Sequence, residues 1–167
     1  MGPHDGTSLF SQAVDNLTGP GKLFVCSAGN NGANAIHVTK TFAATDTIMK
    51  STFTFSSSLT ERRMWIDIWG TAGETYCAKI QLFSGGLAGN STQYICLDDS
   101  VRQMYLLSNI GDTCYFTVYP IASEFNGKPR FLFDFYSKST NKVQVTIRGT
   151  AGTAHMWMGY VKDYTGY

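Results

Sequence analysis

The stretch with the most chemical content is Phe24-Val25-Cys26-Ser27-Ala28-Gly29-Asn30-Asn31-Gly32, where a short apolar run gives way to small residues and then to paired asparagines between glycines. Small residues let a backbone approach a substrate closely. An asparagine at the end of a strand can present its side-chain N–H to a cleft, and such a donor suits the negative oxygen of a tetrahedral acyl-transfer intermediate. The same residue types favour turns, so a plain turn is the competing reading of Gly29 to Gly32. An oxyanion donor stabilises nothing until a nucleophile has attacked, so a nucleophile with its base is the next requirement. Gly6-Thr7-Ser8-Leu9 offers a serine, Asp5 and Asp46 offer carboxylates, and the three histidines are His4, His37 and His155. Thr7 and Ser8 read first as helix caps, and a triad of Ser8, Asp5 and His4 or His37 would need those groups to converge by chance.

Two elements must position the asparagine. Leu9, Phe10, Ala13, Val14 and Leu17 fall on one face at helical spacing, which predicts a helix over 8–17, ended by Gly19 and Pro20. The consecutive apolar residues of 22–27 predict a short strand covered on both faces. A helix followed by such a strand is half of a parallel α/β unit, too small to bury its own faces. From about Thr39 the pattern changes. Strands are predicted over 51–57, 64–70, 75–83, 94–97, 104–108, 113–121, 130–136, 142–148 and 154–161. Turn signals such as Ser84-Gly85-Gly86, Ile110-Gly111-Asp112 and Asn126-Gly127-Lys128-Pro129 separate them. The expected fold is mainly β: an antiparallel, jelly-roll-like sandwich over 39–167, preceded by a helix–strand piece over 1–38.

The order helix, buried strand, Ser27-Ala28-Gly29-Asn30-Asn31-Gly32, with Ala13-Val14-Asp15 in the later half of the helix, resembles the subtilisin-like serine proteases of the peptidase S8 family. The resemblance covers about the first quarter of the chain. It implies that Asn30 supplies the oxyanion-hole side chain and that Ser27, Ala28 and Gly29 line the bound peptide. It also implies that the triad lies elsewhere. The family's Gly-Thr-Ser-Met-x-x-Pro should follow the oxyanion asparagine, whereas Gly6-Thr7-Ser8-Leu9-Phe10-Ser11-Gln12 precedes it and has Gln12 at the proline position. His-Gly-Thr-His is absent, and Asp46-Thr47-Ile48 lacks the glycine of Asp-Ser/Thr-Gly. The chain then corresponds to an oxyanion segment plus an inserted β-sandwich. It is expected to be inactive alone, with a peptide or protein substrate for the parent endopeptidase. A carbohydrate- or protein-binding module and a piece of a pseudoprotease are the alternatives. An extracellular, cell-surface or periplasmic location is implied by the family alone.

The remaining composition narrows the field. A net charge of +1, with Arg62-Arg63 and Arg130 scattered, gives no electrostatic case for nucleic acid. No apolar run is long enough to span a bilayer as a helix, and Met1-Gly2-Pro3-His4-Asp5 has neither the basic start nor the apolar stretch of a signal peptide. Cys26, Cys77, Cys96 and Cys114 lack the close spacing of a zinc or redox motif; one or two disulfides are possible, but their apolar, strand-like surroundings favour buried free thiols. Asp98-Asp99 with Asp112 is a conceivable calcium set but reads first as solvated turn residues, so no cofactor is expected. Trp65, Trp69, Trp157, Tyr76, Tyr94, Tyr105, Tyr115, Tyr119 and Tyr136 could form a sugar-binding platform, although most are expected in the core.

Overall fold

The computed structural model describes residues 2–26, 36–55, 62–139 and 141–161. Its elements are α1 (Leu9–Leu17), β1 (His37–Thr41), β2 (Ile48–Thr54), β3 (Arg62–Trp69), β4 (Tyr76–Ser84), β5 (Leu87–Ser91), β6 (Ile95–Cys96), β7 (Arg102–Leu107), β8 (Thr113–Ile121), β9 (Arg130–Ser137), β10 (Lys142–Gly149) and β11 (Thr153–Val161). The chain passes repeatedly between two sheets. The larger has the order β1-β11-β3-β9-β8-β7; the smaller has β2-β10-β4-β5, with β6 also paired to β4. All of these pairings are antiparallel. The expected mainly-β sandwich is what forms.

Alternation decides which side of each strand is the core. Met64, Ile66 and Ile68 of β3, Phe116 and Val118 of β8, and Phe131, Phe133 and Phe135 of β9 point inward from the larger sheet. Ala78, Ile80 and Leu82 of β4 and Val143, Val145 and Ile147 of β10 meet them from the smaller one, in one continuous buried cluster. Burying an aliphatic or aromatic side chain of this size is worth about 1.5–3 kcal/mol relative to exposure. The β4–β5 hairpin turns on Gly85 and Gly86, with φ of 57° and 83°. Two successive left-handed residues are what the tight hairpin turn requires.

Helix α1 forms where helical spacing predicts it. Ser8 caps it, its Oγ accepting the Ser11 N–H at 3.0 Å. The expected strand over 22–27 does not form across its described part: Leu23 is 89% and Val25 79% exposed. A doubly covered strand needs sheet neighbours on both sides, and the strands of this chain are already used in the sandwich. The cysteine expectation also needs correcting. Cys77 and Cys96 face each other across β4 and β6 and are joined as a disulfide, and Cys26 is exposed; only Cys114 is a buried free thiol. The physical reason is parity: Tyr76, Ala78 and Ile80 point inward, so Cys77 between them points outward.

Candidate functional site

Asn30, Ser27, Ala28 and Gly29, the residues assigned to the oxyanion hole and peptide contacts, lie outside the described residues. The structure places what flanks them. Upstream, the Phe10 ring of α1 meets Phe24 edge-on at 6.0 Å. Downstream, the Ile36 carbonyl accepts the Met158 N–H at 2.8 Å, and His37 opens β1.

Immediately beyond that anchor two of the three histidines stack on one tryptophan, and the third joins them through His37. β1 pairs with β11 so that His37 stands opposite Trp157. The His37 ring stacks on the indole at 3.7 Å, and His37 Nε2 lies 3.1 Å from His155 Nδ1. His4 stacks on the same indole at 3.9 Å. Partial burial, then the neighbouring His155 and His4, lowers the pKa of His37 below its ordinary value.

The segment around His4 is tied down by polar contacts. Thr7 donates its N–H and its hydroxyl to Asp5 Oδ1, at 3.0 and 2.6 Å. Asp5 also pairs with Lys128, and Asn126 Nδ2 donates to Thr7 Oγ1 at 2.9 Å. Partial burial pushes the Asp5 carboxyl up, but Lys128 and Thr7 outweigh it and hold the group well below the usual carboxylate range. This strap and the loop before β9 flank an outward-facing pair that is nevertheless buried, Asp67 and Trp69 of β3. Arg130 clamps Asp67 with two hydrogen bonds of 2.7 and 3.1 Å, reaches Glu124 at 3.0 Å and lies 4.8 Å above the Trp69 ring.

Nothing in this cluster is a catalytic triad. Among the described residues, the Ser8 hydroxyl is bonded to Ser11 rather than to a histidine, and the Asp5 carboxylate is engaged by Thr7 and Lys128. His4 and His37 stack on Trp157 and His155 stacks on His37, so they do not line up with a nucleophile.

The other sequence candidates separate in space. Asp98 accepts the Ser100 N–H and pairs with Arg102, which together lower its pKa. Asp99 accepts the Ala122 N–H at 2.7 Å. Asp112 sits beyond the far end of β7, a six-residue strand about 20 Å long, so the three carboxylates cannot share one ion. Among the described residues no group of three His, Cys, Asp or Glu side chains is arranged to hold a metal. The expectation that most of the named aromatics are core is corrected. Trp69 and Tyr76 are buried, whereas Tyr105 and Tyr115 are 63% and 53% exposed. Both stand at outward positions, alternating with the core residues Leu106, Cys114 and Phe116.

No family model and no curated protein matches the sequence. Among solved structures, the chain is similar to the CspB protease of Clostridium perfringens, with a TM-score of 0.69 and 17% sequence identity. The match covers 94% of this chain and 32% of that one, so the present chain spans about a third of the length of the protease it resembles. At this identity the likeness is one of fold. Among the described residues no helix is long and apolar enough to cross a membrane.

Proposed function

We propose that this chain is the oxyanion-hole segment and inserted β-sandwich of a subtilisin-like serine endopeptidase. The segment before β1 contributes to the protease core and the sandwich that starts with β1 is the insert; the expected boundary between 1–38 and 39–167 falls inside that strand, whose His37 and Val38 pair with β11. Asn30 donates its side-chain N–H to the oxyanion of the scissile carbonyl, while Ser27, Ala28 and Gly29 let the peptide lie close to the backbone. The sandwich shapes access to the cleft or contacts a protein substrate. The nucleophile, its base and the orienting acid come from polypeptide outside these residues, and the enzyme acts outside the cytoplasm.

The observation that carries this reading is the extent of the fold likeness. A fold match over 94% of the chain to about a third of a protease supports it. The surface of the first zone agrees with it. Leu9, Phe10 and Leu17 of α1 are between 62% and 71% exposed, as expected of a helix whose covering surface belongs to a larger body.

A fluorophosphonate probe tests the proposal. The 167-residue chain is expected to remain unlabelled. A polypeptide joining it to segments with Asp-Ser/Thr-Gly and His-Gly-Thr-His upstream and Gly-Thr-Ser-x-x-x-Pro downstream is expected to label at the downstream serine. In that polypeptide Asn30→Ala should lower kcat by about 10²–10³ with little change in KM, which is the size of the loss when a subtilisin is deprived of its oxyanion asparagine. Labelling of Ser8 in the 167-residue chain would defeat the proposal.

A further inference from the structure

The outer face of the larger sheet carries a row of tyrosines in register. Tyr105 of β7 stands opposite Tyr115 of β8, and Tyr115 stands opposite Tyr136 of β9. Neighbouring ring centroids are 6.3 and 6.4 Å apart and the planes are tilted by 48° and 36°, so the rings form a stepped surface and not a flat one. Arg63 of β3 continues the row beyond Tyr136. In the next row across the sheet Gln103, Thr117 and Asp134 are in register, and together with Tyr115 and Tyr136 they line a shallow cleft. On the other side of the row Asp112, Thr113, Lys138 and Ser139 line a second one.

Two exposed rings, Tyr105 and Tyr115, continued by the half-buried Tyr136, are not explained by the core, which lies on the opposite face of the same strands. Their flanks are rich in hydroxyl, amide and charged groups. The charges balance: Arg63 pairs with Asp134 at 3.3 Å, and Lys138 faces the same cleft as Asp112. An anionic ligand would call for an excess of cations, which this surface lacks. A ligand with apolar faces, a polar edge and no net charge fits both the rings and the flanks. That is the chemistry of a neutral sugar ring, whose C–H face stacks on an aromatic ring while its hydroxyls bond at the sides.

From these features we propose that Tyr105, Tyr115 and Tyr136 form a binding platform for a neutral, extended oligosaccharide, one sugar ring per tyrosine, with Gln103, Thr117 and the Arg63–Asp134 pair bonding its hydroxyls. The tilt between rings suits a single twisted chain better than the flat face of a crystalline polymer. This inference does not depend on the protease reading.

Titration calorimetry of the 167-residue chain with soluble β-1,4-linked hexaoses of glucose, mannose, xylose and N-acetylglucosamine tests it. At least one series should bind at millimolar concentration or below. Tyr115→Ala should weaken that binding tenfold or more, Tyr105→Ala and Tyr136→Ala should each weaken it several-fold, and Tyr115→Phe should retain most of it. Tyr94→Ala, on β6's approach and away from the row, should leave affinity unchanged, and melting curves should show every variant folded. Binding by none of the four series would overturn the proposal. So would affinity that survives Tyr115→Ala in the folded protein, or a preference for an acidic glycan or a peptide at this face.

Discussion

His37 Nε2 and His155 Nδ1 stand 3.1 Å apart between β1 and β11, their ring planes within 6° of parallel. A hydrogen bond between two imidazoles needs one of them neutral, because two imidazolium rings have only donors to offer. Protonation of His37 is therefore disfavoured at this position, and His4 stacks on the same Trp157. Asp5, Lys128 and the buried Asp67 are the other charged groups nearby.

The first prediction is a loss of stability in mild acid. The pKa of His37 is lowered in the folded chain, by burial first and then by His155 and His4. The unfolded chain therefore binds more protons than the folded one below the ordinary value of 6.5. The stabilising contribution is complete above that value and drains away as the pH falls through 6.5 towards the folded pKa. Thermal melts of wild type and His37→Asn at pH 7.5 and 5.5 measure it. The wild type should lose more Tm between the two than the variant does. Equal losses would show that the pair is not pH-linked. The pH 5.5 limit keeps Asp5 and Asp98, whose pKa values are also lowered, out of the measurement.

A second prediction concerns the Cys77–Cys96 bridge, which closes a loop with a sequence separation of 19. The chain-entropy relation gives about 3 kcal/mol for a loop of this length. Cys77→Ala/Cys96→Ala should lower the denaturation free energy by about that amount and loosen β6, whose sheet pairing is confined to two residues of β4. Urea titration of the double variant against wild type checks the energy. Thiol labelling of the native protein checks the assignment. Cys26 should react at once. Cys114, whose pKa burial pushes up to about 12, should react only as the protein unfolds.

How much of this was legible beforehand depends on whether the information was local. Phe131, Phe133 and Phe135 announce an inward face by alternation alone, and Ser8 with the apolar spacing of 9–17 announces a capped helix. β1 and β5 are not read because neither has an inward apolar row; both lie at sheet edges, and their residues are mostly exposed. The disulfide was half legible. Parity turns Cys77 outward, but only the antiparallel approach of β6 puts Cys96 opposite it. The histidine cluster was not legible at all, since 118 residues separate His37 from His155 and strand pairing alone joins them. The tyrosine row could have been found, because Tyr115 alternates with the strongly apolar Cys114, Phe116 and Val118.

A third prediction tests the clamp on Asp67. The carboxylate is 1% exposed and Arg130 is its cationic partner. Burial disfavours the guanidinium charge, yet Asp67 and then Glu124 hold its pKa above the usual value. Arg130→Met removes the cation and leaves Asp67 buried without compensation, which should cost about 3–5 kcal/mol. Adding Asp67→Leu should recover much of that loss, because an apolar pair of similar volume needs no charge compensation. Chemical denaturation of both single variants and the double variant supplies the cycle. A double variant no more stable than Arg130→Met would show that the cost lies in lost packing against Trp69 and not in an unpaired charge.

The last prediction follows from α1. Its apolar stripe is regular and its cap is in place, yet none of its residues is buried. Leu9, Phe10 and Leu17 on the helix, with Leu23 and Val25 after it, expose more large apolar surface than a solvent-facing element needs. Such a surface seeks cover, and in the isolated chain the cover at hand is the same surface on a second copy. The chain should therefore self-associate with rising concentration, and Phe10→Glu with Leu17→Lys should keep it monomeric without lowering Tm, since neither side chain contributes to the sandwich core. Sedimentation velocity over a concentration series reads the first outcome and a melting curve the second. If the double variant lost several degrees of Tm, α1 would have to be packed on the sandwich in solution, and its exposed stripe could no longer be counted in favour of a missing protease core.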